Sequence, residues 1–182
     1  MSNQNTIMIY VAAFLTVFCE AKFSGLRALL GAQVDLLPAL MVYAASHASL
    51  PKVALLAVLG GLWFDSLSAN PLGITISPLF AAGFILYVQR DLILRDSVFA
   101  QIVIGAVASA VVPLLTVLLL LSAGKPLLLD VGSLWQWLIM TAGGAAATPV
   151  IFVLFNWFDH MFGYKLRSES SFRPDREIRR GR

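Results

Sequence analysis

Apolar runs of about 20 residues recur along this chain, and each is long enough to cross a bilayer core of roughly 30 Å. That recurrence leaves little choice of fold. Inside hydrocarbon a backbone must satisfy its own N–H and C=O groups, so it crosses as helices or as a closed barrel. The runs are continuous in hydrophobicity rather than alternating, which selects helices. Composition agrees. Of 182 residues, 59% are hydrophobic and only 13% charged, whereas soluble domains carry about a quarter charged residues. The sequence predicts an all-α polytopic membrane protein with six transmembrane helices, at about 6–22, 34–47, 51–67, 71–89, 97–123 and 133–158. The run at 34–47 is expected to be short or tilted. One transmembrane domain, 1–164, is followed by a basic tail, 165–182. The first 21 residues lack the basic n-region of a signal peptide, so an uncleaved first span is expected.

Lys and Arg set the expected orientation. Six spans put both termini on one side. That side then carries Lys52, Arg90, Arg95 and the tail residues Lys165, Arg167, Arg173, Arg176, Arg179, Arg180 and Arg182, against Lys22, Arg27 and Lys125 on the other. The positive-inside rule makes the richer side cytoplasmic. The tail, with Arg173, Arg176, Arg179, Arg180 and Arg182, is expected to meet anionic lipid, and the basic pI reflects this tail rather than any nucleic-acid partner. Trp135 and Trp137 at the start of the sixth span fit an interfacial aromatic belt.

Few residues offer chemistry. His47 and His160 lack partners at metal-ligand spacing, and both read as interface residues. Cys19 stands alone and is expected to be a buried, inert thiol. Gly60-Gly61 and Gly143-Gly144 lack the Lys-Ser/Thr of a phosphate loop. "GGAAATP" (143–149), with Gly143, Gly144 and Ala147, is expected to be a helix-packing stripe, with Pro149 as a kink. Ser109 and Thr116 have no evident base within reach. No enzyme, metal or cofactor is expected.

Acids beside the spans matter more, because charge in hydrocarbon is costly and often functional. Glu20, close to Lys22, is expected to reach water. Asp91 and Asp96 read as loop charges. Asp35 is expected to N-cap the second span, with Pro38 in its first turn. Asp65 falls near the outer end of the third span, where a carboxylate opposes the helix dipole and therefore needs donors. The turn "SLSA" could supply them, with Asn70 as N-cap and Pro71 as first residue of the fourth helix. Gly61, one turn before Asp65, and Gly73 are expected to permit close helix approach. Asp65 then ties the third and fourth spans together. An ion or substrate site, or a direct partner contact, are the other uses such an acid could have.

The stretch "DLLPALMVYAASHASLPKVALLAVLGGLWFDSLSANPLG" (35–73) resembles the MreD family, the rod shape-determining membrane proteins of bacteria. The resemblance lies in Asp35 and Pro38, Val42-Tyr43, the Gly61-Leu62-Trp63-Phe64-Asp65 segment and Gly73, together with the six-span layout and short basic tail. It implies a non-enzymatic scaffold of the cell-elongation machinery in the cytoplasmic membrane. Its implied partner is an MreC-like bitopic protein. Through that partner it would connect to the actin-like MreB, to RodA and to the penicillin-binding partner of RodA, which make lateral-wall peptidoglycan. It also implies a fold similar to the substrate-binding subunits of energy-coupling-factor vitamin transporters. Such a vitamin-binding subunit is the alternative function, although the outer loops offer few groups suited to a polar ligand.

Overall fold

The computed structural model describes residues 3–22, 31–68, 70–90, 97–124 and 131–163. Among these residues the protein is all-helical, with six helices: α1 (Asn3–Lys22), α2 (Leu37–His47), α3 (Leu50–Leu67), α4 (Ile76–Val88), α5 (Val98–Ser122) and α6 (Val131–Gly163). Three of them, α3, α5 and α6 over Val131–Phe158, are long and apolar enough to cross a membrane, while α4 is apolar but shorter. The basic tail lies outside the described residues, as do Arg27, Asp91, Arg95, Asp96 and Lys125.

The centre of the bundle is α2. Ten of its eleven residues, Leu37 to Ser46, are buried, and it packs against each of the other five helices. A helix that is apolar all round belongs in an interior, and "LPALMVYAAS" fits that description. Pro38 sits in the first turn, where a missing N–H leaves no hydrogen bond unmade. At 11 residues the helix is about 16 Å long, roughly half a bilayer core. The expected span at 34–47 is therefore a non-helical approach, Gln33–Leu36, joined to a short central helix.

Around α2 the other helices present narrow seams. On α1 the buried positions Ile9, Ala13 and Val17 recur every fourth residue, while Ile7, Val11, Phe14, Leu15 and Phe18 are exposed. Cys19 is exposed too, contrary to the expected buried thiol, because it lies off that seam. The α5–α6 pair is antiparallel and held by small residues. A Cβ on Gly144 would collide with the Ser109 hydroxyl, and one on Gly105 with Thr148. Gly143 faces another way, towards Val34, whose Cγ1 lies 2.5 Å from where a Cβ would be. Ala147 is half-buried against the core. Gly143, Gly144 and Ala147 are thus spent on packing inside the chain. Ser97 begins α5 by accepting a hydrogen bond from the Ala100 amide (3.5 Å). Pro113 and Pro149 lie inside α5 and α6 without ending either helix.

Candidate functional site

Asp65 occupies the last turn of α3 and is only 2% exposed. A buried carboxylate there opposes the α3 dipole and would be costly without compensation. Compensation comes from the chain that leads into α4. Asp65 Oδ2 accepts from the Gly73 amide (2.9 Å) and the Thr75 amide (3.1 Å). Asp65 Oδ1 accepts from the Thr75 hydroxyl. Thr75 is the N-cap residue of α4 and its own side chain makes no capping bond. An acid of one helix thereby serves free amides at the start of the next, where the dipole favours negative charge. Both carboxylate oxygens are occupied.

Glycines allow this closure in two different ways. At Gly61 an added Cβ would lie 2.9 Å from the Ile76 backbone nitrogen. Only a bare Cα lets the start of α4 rest on α3 one turn below Asp65. Gly73 plays a different part from the expected close approach. Its φ is +89°, and a Cβ there would meet nothing nearer than the Ile76 Cδ1 at 3.8 Å. It is needed for the left-handed bend that turns its amide to Asp65. The expected helix start at Asn70-Pro71 is also corrected. α4 begins at Ile76, and residues 72–75 form a turn with the Ile74 amide donating to the Pro71 carbonyl (3.3 Å). Asn70 caps no helix. Its amide donates to the Ser68 hydroxyl (3.4 Å). The donors to Asp65 come from 73–75 rather than from "SLSA", because the turn has to reverse before its amides face α3.

A second polar cluster lies at the same end of the bundle, where Leu37 packs under Gly60 of α3. Asp35 is 4% exposed, and its Oδ1 accepts from the Leu37 amide (2.8 Å). It stands one residue outside the expected N-cap position, which Leu36 takes without a side-chain bond. Glu20 does not reach water as expected. Its Oε1 accepts from the Leu36 amide (2.8 Å), and its Oε2 is buried with no hydrogen-bond partner. Lys22 is exposed. Gln136 of α6 completes the set: its Oε1 accepts from the Gln33 amide (2.9 Å) and its Nε2 donates to the Gln33 carbonyl (2.7 Å). The approach to α2 lies outside any helix or strand. Three side chains therefore stand in for one, which is what an interior backbone without water requires. Thr75, Glu20 and Gln136 escaped notice as members of these clusters. Their partners lie 10, 16 and 103 residues away, too far for any local pattern to reveal.

Among the described residues, no group of three His, Cys, Asp or Glu side chains is placed to hold a metal ion. His47 stacks on Tyr43 with ring centroids 4.5 Å apart, and its Nδ1 lies 3.2 Å from the Tyr43 carbonyl. Among the described residues the chain is an all-helical bundle, with three helices long and apolar enough to cross a membrane, whose buried acids bind backbone. No protein-family model, curated protein or solved structure matches the chain.

Proposed function

We propose that this protein is a non-enzymatic scaffold of the bacterial cell-elongation machinery, crossing the cytoplasmic membrane six times with both termini inside. In this reading it binds an MreC-like bitopic protein, and through it MreB, RodA and the penicillin-binding partner of RodA. One observation carries the proposal. Asp65, the acid at the heart of the resemblance to MreD proteins, has both oxygens engaged by three donors from the α3–α4 turn. A carboxylate so engaged shapes a surface and is poorly placed to take a substrate or an ion. In lipid, partners associate through close packing and a few polar contacts. A rigid α3–α4 hairpin is the kind of surface such association uses.

The test is affinity capture of the tagged protein from its native membrane. A single-span protein with an extracytoplasmic domain should co-purify. Asp65→Ala should lower both its recovery and the fraction of rod-shaped cells. Capture of an ATPase module or a bound vitamin would instead favour the transporter subunit, and wild-type capture and shape in Asp65→Ala would refute the role given to Asp65.

A further inference from the structure

Two lengths in this bundle, each set by residue count and the ideal rise per residue, are comparable. On α6, Trp135 and Trp157 are half exposed, at 53% and 52%, and Trp137 is 37% exposed. From Trp137 to Trp157 the helix rises about 30 Å, and from Trp135 about 33 Å, close to the thickness of a bilayer hydrocarbon core. Between these rings α6 turns Leu138, Val150, Val153 and Leu154 outwards. Indoles prefer the headgroup boundary, with aliphatic side chains between.

The second length is that of residues 33–47. Gln33 is bonded in both directions to Gln136, which lies between Trp135 and Trp137. Val34 rests against Gly143, two turns deeper and about 10 Å along α6. Near the other end of α2, Tyr43 stacks on Phe155 with centroids 4.6 Å apart, and the terminal His47 meets Phe152 at 5.6 Å. Phe155 and Phe152 lie two and five residues before Trp157. Three non-helical steps and eleven helical steps give at most about 26 Å.

We propose that Trp135 and Trp157 mark the two headgroup planes of the bilayer, and that residues 33–47 cross the hydrocarbon between them as a short non-helical stretch followed by a half-length helix. The partner for this surface is lipid. The proposal rests on the membrane placement in the proposed function but on none of its protein partners. It gives Glu20, Asp35 and Gln136 a depth as well as a role: they serve amides and a carbonyl that lie at or beneath one headgroup plane.

The test uses single-tryptophan proteins, with the other indoles replaced by phenylalanine, in phosphatidylcholine vesicles bearing brominated lipids. Proteins retaining Trp135 or Trp157 alone should be quenched at least twofold more by bromine near the headgroup than by bromine near the chain end. Ala146 is exposed midway along α6, and Ala146→Trp should show the reverse order. Deep quenching of Trp135 or Trp157, shallow quenching in the Ala146→Trp protein, or no quenching at all overturns the placement. Crossing by 33–47 is read separately in a Cys19→Ser background. Gly31→Cys and Ser49→Cys, both at exposed positions, should react with a membrane-impermeant maleimide from opposite faces of the membrane. Reaction from one face overturns the crossing. Either failure would leave partner capture unaffected, so the scaffold reading stands or falls on its own experiment.

Discussion

Two carboxylate clusters at one end of this bundle do the same job by different means. At the α3–α4 turn, Asp65 alone collects three donors from one short stretch of chain, and neither oxygen is left over. At the approach to α2, Glu20, Asp35 and Gln136 come from different parts of the sequence, and each serves one residue. There, Glu20 Oε2 is left buried without a partner. The difference teaches how a membrane protein can tolerate interior acids. One saturated acid makes a local latch that forms with its own hairpin. A distributed set can hold an unwound segment, but it leaves a polar atom unsatisfied.

The comparison breaks most readily at Asp65. Asp65→Ala leaves the buried Thr75 amide and hydroxyl and the half-buried Gly73 amide without an acceptor. It should destabilise the protein by about 3–5 kcal/mol, at 1–3 kcal/mol for each orphaned group less partial relaxation. The loss should appear as a large fall in thermal midpoint in detergent micelles. Next comes Gly61→Ala. Its Cβ would press on the Ile76 backbone, which cannot move aside as a side chain can, and about 1–3 kcal/mol should be lost. Gly73→Ala should cost only about 1 kcal/mol, for its positive φ. If the two alanine variants melt together, close approach at Gly61 is not what seats α4.

The sharpest contrast lies within Glu20 and is also the smallest effect. Glu20→Ala removes the acceptor of the Leu36 amide and should cost about 1–3 kcal/mol. Glu20→Gln keeps that acceptor and replaces only the oxygen that has no partner, so its melting should differ from wild type by less than about 1 kcal/mol. A Glu20→Gln protein as unstable as Glu20→Ala would show that charge, rather than an acceptor for the Leu36 amide, is what this position supplies.

The same contrast explains which features were legible in the sequence. Asp65 could be read as a latch because its donors sit within ten residues, in a stretch punctuated by Asn70-Pro71 and Gly73. Even so, Asn70-Pro71 imitated a helix start, and only tertiary packing against Gly61 fixed the true start at Ile76. The apolar runs announced helices, and α1, α3, α5 and α6 lie along four of them. The run at 34–47 was legible as apolar and short. What it could not reveal is that α2 is enclosed on every side, since apolarity all round looks alike in protein and in lipid. Gln33 and Gln136 carry no mutual signal, because 103 residues separate them.

That separation has a consequence for biogenesis. The stretch leading into α2 leaves the ribosome early, yet Gln136, which satisfies its first amide and carbonyl, is made 103 residues later. At about 5–20 residues per second, the nascent chain waits on the order of 5–20 s with that backbone unserved. Until then that amide and carbonyl must find other partners, and their native pairing waits for α6.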